Sequence, residues 1–113
     1  MQLTFLYSRR FVREWDRHGL SDADLQALED AIQKSPDTAP VIRGTGGLRK
    51  MRFAAPSQRT GKRGALRVGF AYFRIKAAIF VVAVFAKNEA SNFTKAECTE
   101  IAAELKRAER NFR

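Results

Sequence analysis

The run from Ala77 to Ala86 (AAIFVVAVFA) constrains this chain more than any other stretch. From Ala78 to Phe85 it is apolar at every position, so a strand there has no face fit for water. Such a strand belongs at the centre of a sheet that is covered on both sides. The run is far too short to span a bilayer. With 113 residues and a hydrophobic fraction of 45%, the chain fits one domain over 1–113 with a real core.

The flanking segments supply the layers. Gln2 to Tyr7 reads as a short edge strand, with Leu3, Phe5 and Tyr7 alternating. Ser8 caps a helix expected to run to about His18, with Phe11, Val12 and Trp15 on its inner face, and Gly19 ends it. Ser21 and Asp24 open a second helix carrying Leu25, Leu28 and Ile32, which stops before Pro36. The two make a helical hairpin whose apolar stripe needs a sheet to cover. Pro40 to Ile42 is a brief extended segment. Gly44, Gly46 and Gly47 form either a tight turn or a phosphate-binding nest.

Leu48 to Phe53 is a strand with Met51 and Phe53 on the core side and Lys50 and Arg52 on the other. Ala54 to Gly64 is a basic loop, and Ala65 to Ile75 a further strand ending in a turn over Arg74 to Ala77. In that strand Arg67, Gly69, Ala71 and Phe73 share a face that reads as a shallow floor with an arginine at its edge. Thr94 and Glu97 form a capping box for a last helix, whose apolar stripe is Cys98, Ile101, Ala102, Leu105 and Phe112. The expected architecture is α+β, an antiparallel sheet of about four strands against an N-terminal helical hairpin, plus a C-terminal helix.

Charge is distributed unevenly. Between Thr38 and Asn88 there are eleven Lys or Arg and no Asp or Glu. The first 37 residues hold five basic and seven acidic side chains, and the last 25 hold five of each. The net charge of +9 therefore lies mid-chain, where a polyanion would be met. One cysteine permits no internal disulfide and points to a reducing compartment. No secretory leader opens the chain, so a soluble cytoplasmic protein is expected. Cys98, in the helix stripe, reads as a structural thiol.

Two routes of RNA cleavage are disfavoured. Metal-dependent cleavage needs clustered carboxylates, and only Glu89 borders the basic region. Paired-histidine acid–base chemistry needs two histidines, and His18 is the only one. A Lys/Arg cluster has two other readings. It is a nucleic-acid binding surface, or it is a metal-independent ribonuclease. In the second, a 2′-hydroxyl attacks the neighbouring phosphate while Arg and Lys stabilise the growing phosphoryl charge. A lysine crowded by cations could move the proton. Arginine suits charge stabilisation.

The segments VIRGTGGLRKMRFA, GKRGALRVGFAYF and FVVAVFAKNEASNFT resemble the RelE/ParE toxin superfamily, above all its HigB-type branch. The shared pattern is Gly-x-Gly-Gly-Leu-Arg-Lys, a Gly-Lys-rich loop, a Gly-x-x-Arg strand and a Gly/Ala-Lys-Asn-Glu strand end, in that order. The resemblance covers about half the chain. It implies the toxin of a type II toxin–antitoxin pair that cuts mRNA in the ribosomal A site, without metal or other cofactor. It further implies an antitoxin with a helix-turn-helix domain, operator DNA bound only through that complex, and no membrane partner.

By position, the resemblance makes Lys50 and Arg52 the paired cations on the scissile phosphate; it leaves the general base and acid open, and Lys50 is taken here as the base. It makes Arg67 the transition-state stabiliser, assisted by Lys87. Asn88 stands where RelE-type members carry an arginine, a gap that Lys87 or Arg63 could fill. Phe93 or Tyr72 is offered for base stacking, and Arg59, Lys62 and Arg63 for holding RNA backbone. The rivals are a ParE-like gyrase poison and a non-catalytic nucleic-acid-binding module.

Overall fold

The structure, a computed structural model, describes residues 2–58, 65–86 and 93–112. Strand β1 (Thr4–Tyr7) leads into helices α1 (Arg9–Arg17) and α2 (Asp22–Lys34). Strands β2 (Arg49–Phe53), β3 (Leu66–Phe73) and β4 (Ala78–Ala86) follow, and helix α3 (Lys95–Asn111) comes last. The strands form one sheet in the order β1-β4-β3-β2. The apolar run is thus interior, and Ala78 to Phe85 are all buried. Among the described residues no helix is long and apolar enough to cross a membrane.

β4 pairs antiparallel with β3, and β3 with β2. β1 instead pairs parallel with β4, which makes the sheet mixed where an antiparallel one was expected. Neighbouring antiparallel strands can be joined by a tight turn, as β3 and β4 are over Arg74 to Ala77. β1 and β4 are separated by both helices and two strands, so no short turn dictates their direction.

The helix starts explain how α1 and α2 meet the sheet. Ser8 Oγ accepts from the Phe11 amide at 2.9 Å and donates to the Val82 carbonyl at 2.7 Å. One side chain thus caps α1 and ties it to β4. Pairing between β1 and β4 ends at Val81. Beyond it the Val84 amide donates to Glu14 Oε1 at 3.0 Å, so α1 satisfies backbone groups that β1 does not reach. Phe11 and Trp15, four residues apart, enter the core with Leu28 and Ile32 of α2. They pack on Val68, Phe70, Ile79 and Val81. Val12 turns outward instead and is 48% exposed, against expectation, because the core contact lies on the Phe11/Trp15 side of the helix.

The opposite face carries a second cluster, in which Ile101 and Leu105 of α3 meet Ala71, Phe73, Phe80 and Phe85. The expected open floor is therefore largely filled. Gly69, Ala71 and Phe73 are buried, and Leu48 Cδ2 lies 3.3 Å from where a Cβ on Gly69 would stand. The small residues admit Leu48 and the helix; Arg67 stays half-exposed, and a groove of about 540 Å³ remains beside Gly46, Ala71 and Phe73. Cys98 is half-buried at the margin of this cluster rather than inside it.

The glycine segment is a tight turn. Gly44, Gly46 and Gly47 have φ of 85°, 72° and 123°. Buried Thr45 donates from Oγ1 to the Ile42 carbonyl at 2.6 Å and accepts from the Leu48 amide at 3.0 Å. The Ile42 amide bonds to the Leu48 carbonyl, and the Lys50 amide to the Pro40 carbonyl. Gly46 lies against α3, where a Cβ would meet Ala102 Cβ at 3.3 Å.

Candidate functional site

Register brings the basic residues of β2 and β3 together. Arg52 stands directly opposite Arg67, and Lys50 opposite Gly69. Opposed residues share a sheet face, so Lys50, Arg52 and Arg67 project together, away from α1 and α2. Arg49 and Met51 project the other way. The Arg49 guanidinium donates to the Asp37 and Ala39 carbonyls at 3.1 and 2.7 Å. Arg49 is thus spent on the loop after α2 and lies outside the site, as its position in the strand predicts.

The pairing geometry brings the charges close. The Lys50 amide points out of the β2–β3 pair, to Pro40. Alternation then makes Arg52 and Arg67 a non-hydrogen-bonded pair, the type with Cα atoms only about 4.5 Å apart. Like charges directly opposite are destabilising. Among the described residues none of the three cations makes an ion pair. Arg67 anchors itself to the Ala65 carbonyl at 3.0 Å, Arg52 is exposed, and Lys50 is half-buried. A groove of about 570 Å³ beside β2 is lined by Lys50, Arg52 and Arg67 together with Ile32, Pro40 and Met51. Such an arrangement suits a phosphodiester, whose charge offsets the repulsion.

Across the sheet, Arg67 is opposite Phe85 of β4. The Phe93 ring stands edge-on to Phe85 with centroids 5.9 Å apart, and the Arg10 guanidinium lies over Phe93 at 5.8 Å. Phe93 therefore belongs to the row that begins at Arg52. Tyr72 does not. Alternation turns it to the other face of β3, five residues and roughly 17 Å from Arg67. It is covered by Arg74, 5.5 Å from its ring centroid. Lys87, Asn88, Arg59, Lys62 and Arg63 lie outside the described residues. Among the described residues no three His, Cys, Asp or Glu side chains gather to hold a metal ion.

Sequence reading missed Arg10, Leu48 and the second role of Asp24. Asp24 is buried. Besides closing the capping box with Ser21, it accepts from the Ser57 amide at 3.0 Å and from the Ser57 hydroxyl. Gln58 Nε2 donates to the His18 carbonyl at 2.8 Å. The segment after β2 is thereby fastened to the α1–α2 hairpin. Burial pushes the Asp24 carboxyl up, but the hydrogen bonds from Ser21 and Ser57 outweigh it and hold the pKa at about 2. A capping box shows in sequence; a partner 33 residues away does not.

Comparison with known proteins agrees with this architecture. The chain is similar to Escherichia coli toxin RelE, a doubly substituted mutant in the free state, at 17% identity. That match covers 93% of this chain and 98% of the other, with a TM-score of 0.58. It is similar to the same toxin bound to an antitoxin RelB peptide, at 22% identity over 93% and 95% of the chains, TM-score 0.53. It is also similar to the RelE–RelB complex of Pyrococcus horikoshii OT3, at 15% identity over 80% and 100%, TM-score 0.50. These likenesses speak to fold. A family model described as the RelE toxin of the RelE/RelB toxin–antitoxin system matches residues 4–111. With almost its whole length matched by that model, the chain belongs to the RelE toxin family.

Proposed function

We propose that this chain is a ribosome-dependent mRNA endonuclease, the toxin of a type II pair, working without a metal. The observation that carries this reading is the unneutralised Lys50/Arg52/Arg67 cluster on a chain of the RelE family. In this reading the 2′-hydroxyl gives its proton to Lys50 acting as the uncharged amine, which becomes the ammonium, and the freed oxygen bonds to the adjacent phosphorus. The P–O5′ bond then breaks, and the leaving oxygen takes a proton. The products are a 2′,3′-cyclic phosphate and a 5′-hydroxyl. Arg52 and Arg67 hold the phosphoryl oxygens as negative charge grows, with Lys87 assisting. Phe93 offers a ring to a neighbouring base.

The partner in this reading is a co-expressed antitoxin. Support comes from the relatives solved as RelE with RelB. The HigB-type motif order favours an antitoxin with a helix-turn-helix domain, through which alone the pair would meet operator DNA. The test is cleavage of a translated mRNA. Arg67→Ala is expected to lower the cleavage rate by about 10²–10³-fold while the circular dichroism of the fold is retained. Unchanged cleavage would remove Arg67 from the site. Intact mRNA alongside falling DNA supercoiling would replace this reading with gyrase poisoning.

A further inference from the structure

We propose that the outer face of α1 is a second RNA-backbone surface, which holds the strand being cut beyond the nucleotides at the Lys50/Arg52/Arg67 cluster. The proposal rests on the cleavage reading above for the identity of that strand. Its own ground is α1. Four of the nine residues of this helix are arginines: Arg9, Arg10, Arg13 and Arg17. Arg9, Arg13 and Arg17 follow at four-residue spacing and form one exposed stripe.

This stripe works against the helix that carries it. Like charges four apart are destabilising. Arg9 and Arg10 also occupy the first turn, where the helix dipole favours acids, and that turn holds none. α2 places Asp22 and Asp24 in its first turn, and α3 places Glu97. Among the described residues Arg9 and Arg13 make no ion pair that would offset this cost. A phosphate backbone would offset it, and guanidinium groups fit phosphate in two-pronged fashion.

The stripe is also continuous with the site. Arg67 is opposite Phe85, Phe85 touches Phe93, and Arg10 covers Phe93. Arg10 is thus the joint between the cationic row and α1. Its other surroundings set the direction. Glu14 pairs with Arg10 at 3.3 Å, and Glu97, Glu100 and Glu104 outnumber Arg10 and Arg107 along the cleft between α1 and α3. The acids make that cleft the less favourable course for RNA, which leaves the Arg9/Arg13 face as the path. Cations that follow one another along a line are a usual means of tracking the backbone of a single strand.

The experiment uses the full chain and 2′-O-methyl RNAs, which cannot be cut, of about four and about twelve nucleotides. Affinity is read by fluorescence anisotropy across a salt series. For the wild type the longer RNA binds more tightly. In the Arg9→Gln/Arg13→Gln variant the ratio of long-RNA to short-RNA affinity is expected to fall about tenfold. The salt slope for the long RNA should lessen by about 1.4, two contacts at about 0.7 each. The melting temperature of the variant should stay level or rise, since repulsion is relieved. A ratio and slope equal to those of the wild type would overturn the proposal. So would an unchanged ratio with lost ribosome pelleting, because the stripe would then face structured RNA. A wild type that binds with this length dependence but cuts nothing would sink the cleavage reading alone.

Discussion

At the scale of single residues, the Arg52/Arg67 pair separates stability from function. Two arginines on adjacent strands without a carboxylate between them strain the sheet edge. Arg52→Gln should therefore stabilise the free protein by about 0.2–1 kcal/mol in urea unfolding. The same change should slow RNA cleavage about tenfold or more. Loss of both stability and cleavage would mean that Arg52 serves the fold. Asp24 behaves in the opposite way. Its carboxyl titrates at about 2 in the fold, below its ordinary 3.8. It therefore contributes stability fully above its unfolded value and loses that contribution as pH falls toward 2. Asp24→Asn should cost about 1–3 kcal/mol at neutral pH. The gap between variant and wild type should close between about pH 5 and pH 2 in denaturation curves. A gap that stays constant would show that the charge of Asp24 is not what holds Ser57.

At the scale of elements, α3 governs how much of the sheet is open. It covers Ala71 and Phe73 through Ile101 and Leu105, and it touches the glycine turn at Gly46. Gly46 and Gly19 have similar φ, 72° and 69°, but differ in surroundings. A Cβ on Gly19 meets nothing, whereas one on Gly46 meets Ala102. Gly19→Ala should cost about 1 kcal/mol, the left-handed backbone strain alone. Gly46→Ala should cost more, and hydrogen exchange in α3 should speed up selectively. Equal costs and unchanged exchange in the two variants would show that the turn does not hold the helix.

At the scale of the whole molecule, basic residues gather from segments far apart in sequence. The central acid-free stretch supplies Lys50, Arg52 and Arg67, and α1 supplies arginines from a segment whose overall charge is slightly acidic. Three of the seven acids of that segment are engaged with partners elsewhere in the fold. Asp24 is buried under Ser57, Glu14 serves Val84 and Arg10, and Asp37 faces Arg74 at 3.5 Å. Segment totals therefore understate the positive surface near α1. Counting charges along the chain cannot show which acids are already engaged.

The sequence alone determined the central strand, the helix caps and the pairing of Lys50 with Arg52 on one face. Each follows from local chemistry: an apolar run with no polar face, a hydroxyl three residues before an acid, and the two-residue period of a strand. Tertiary structure decided what local chemistry leaves open. Register set Arg52 against Arg67, and Phe85 in the same row. Connection over a long distance let β1 run parallel to β4. Leu48 and α3 filled the floor that small residues seemed to leave bare. The contact of Arg10 with Phe93 joined the first helix to the site across more than eighty residues of chain. Periodicity tells which way a side chain points from its own strand, and only packing tells what it meets there.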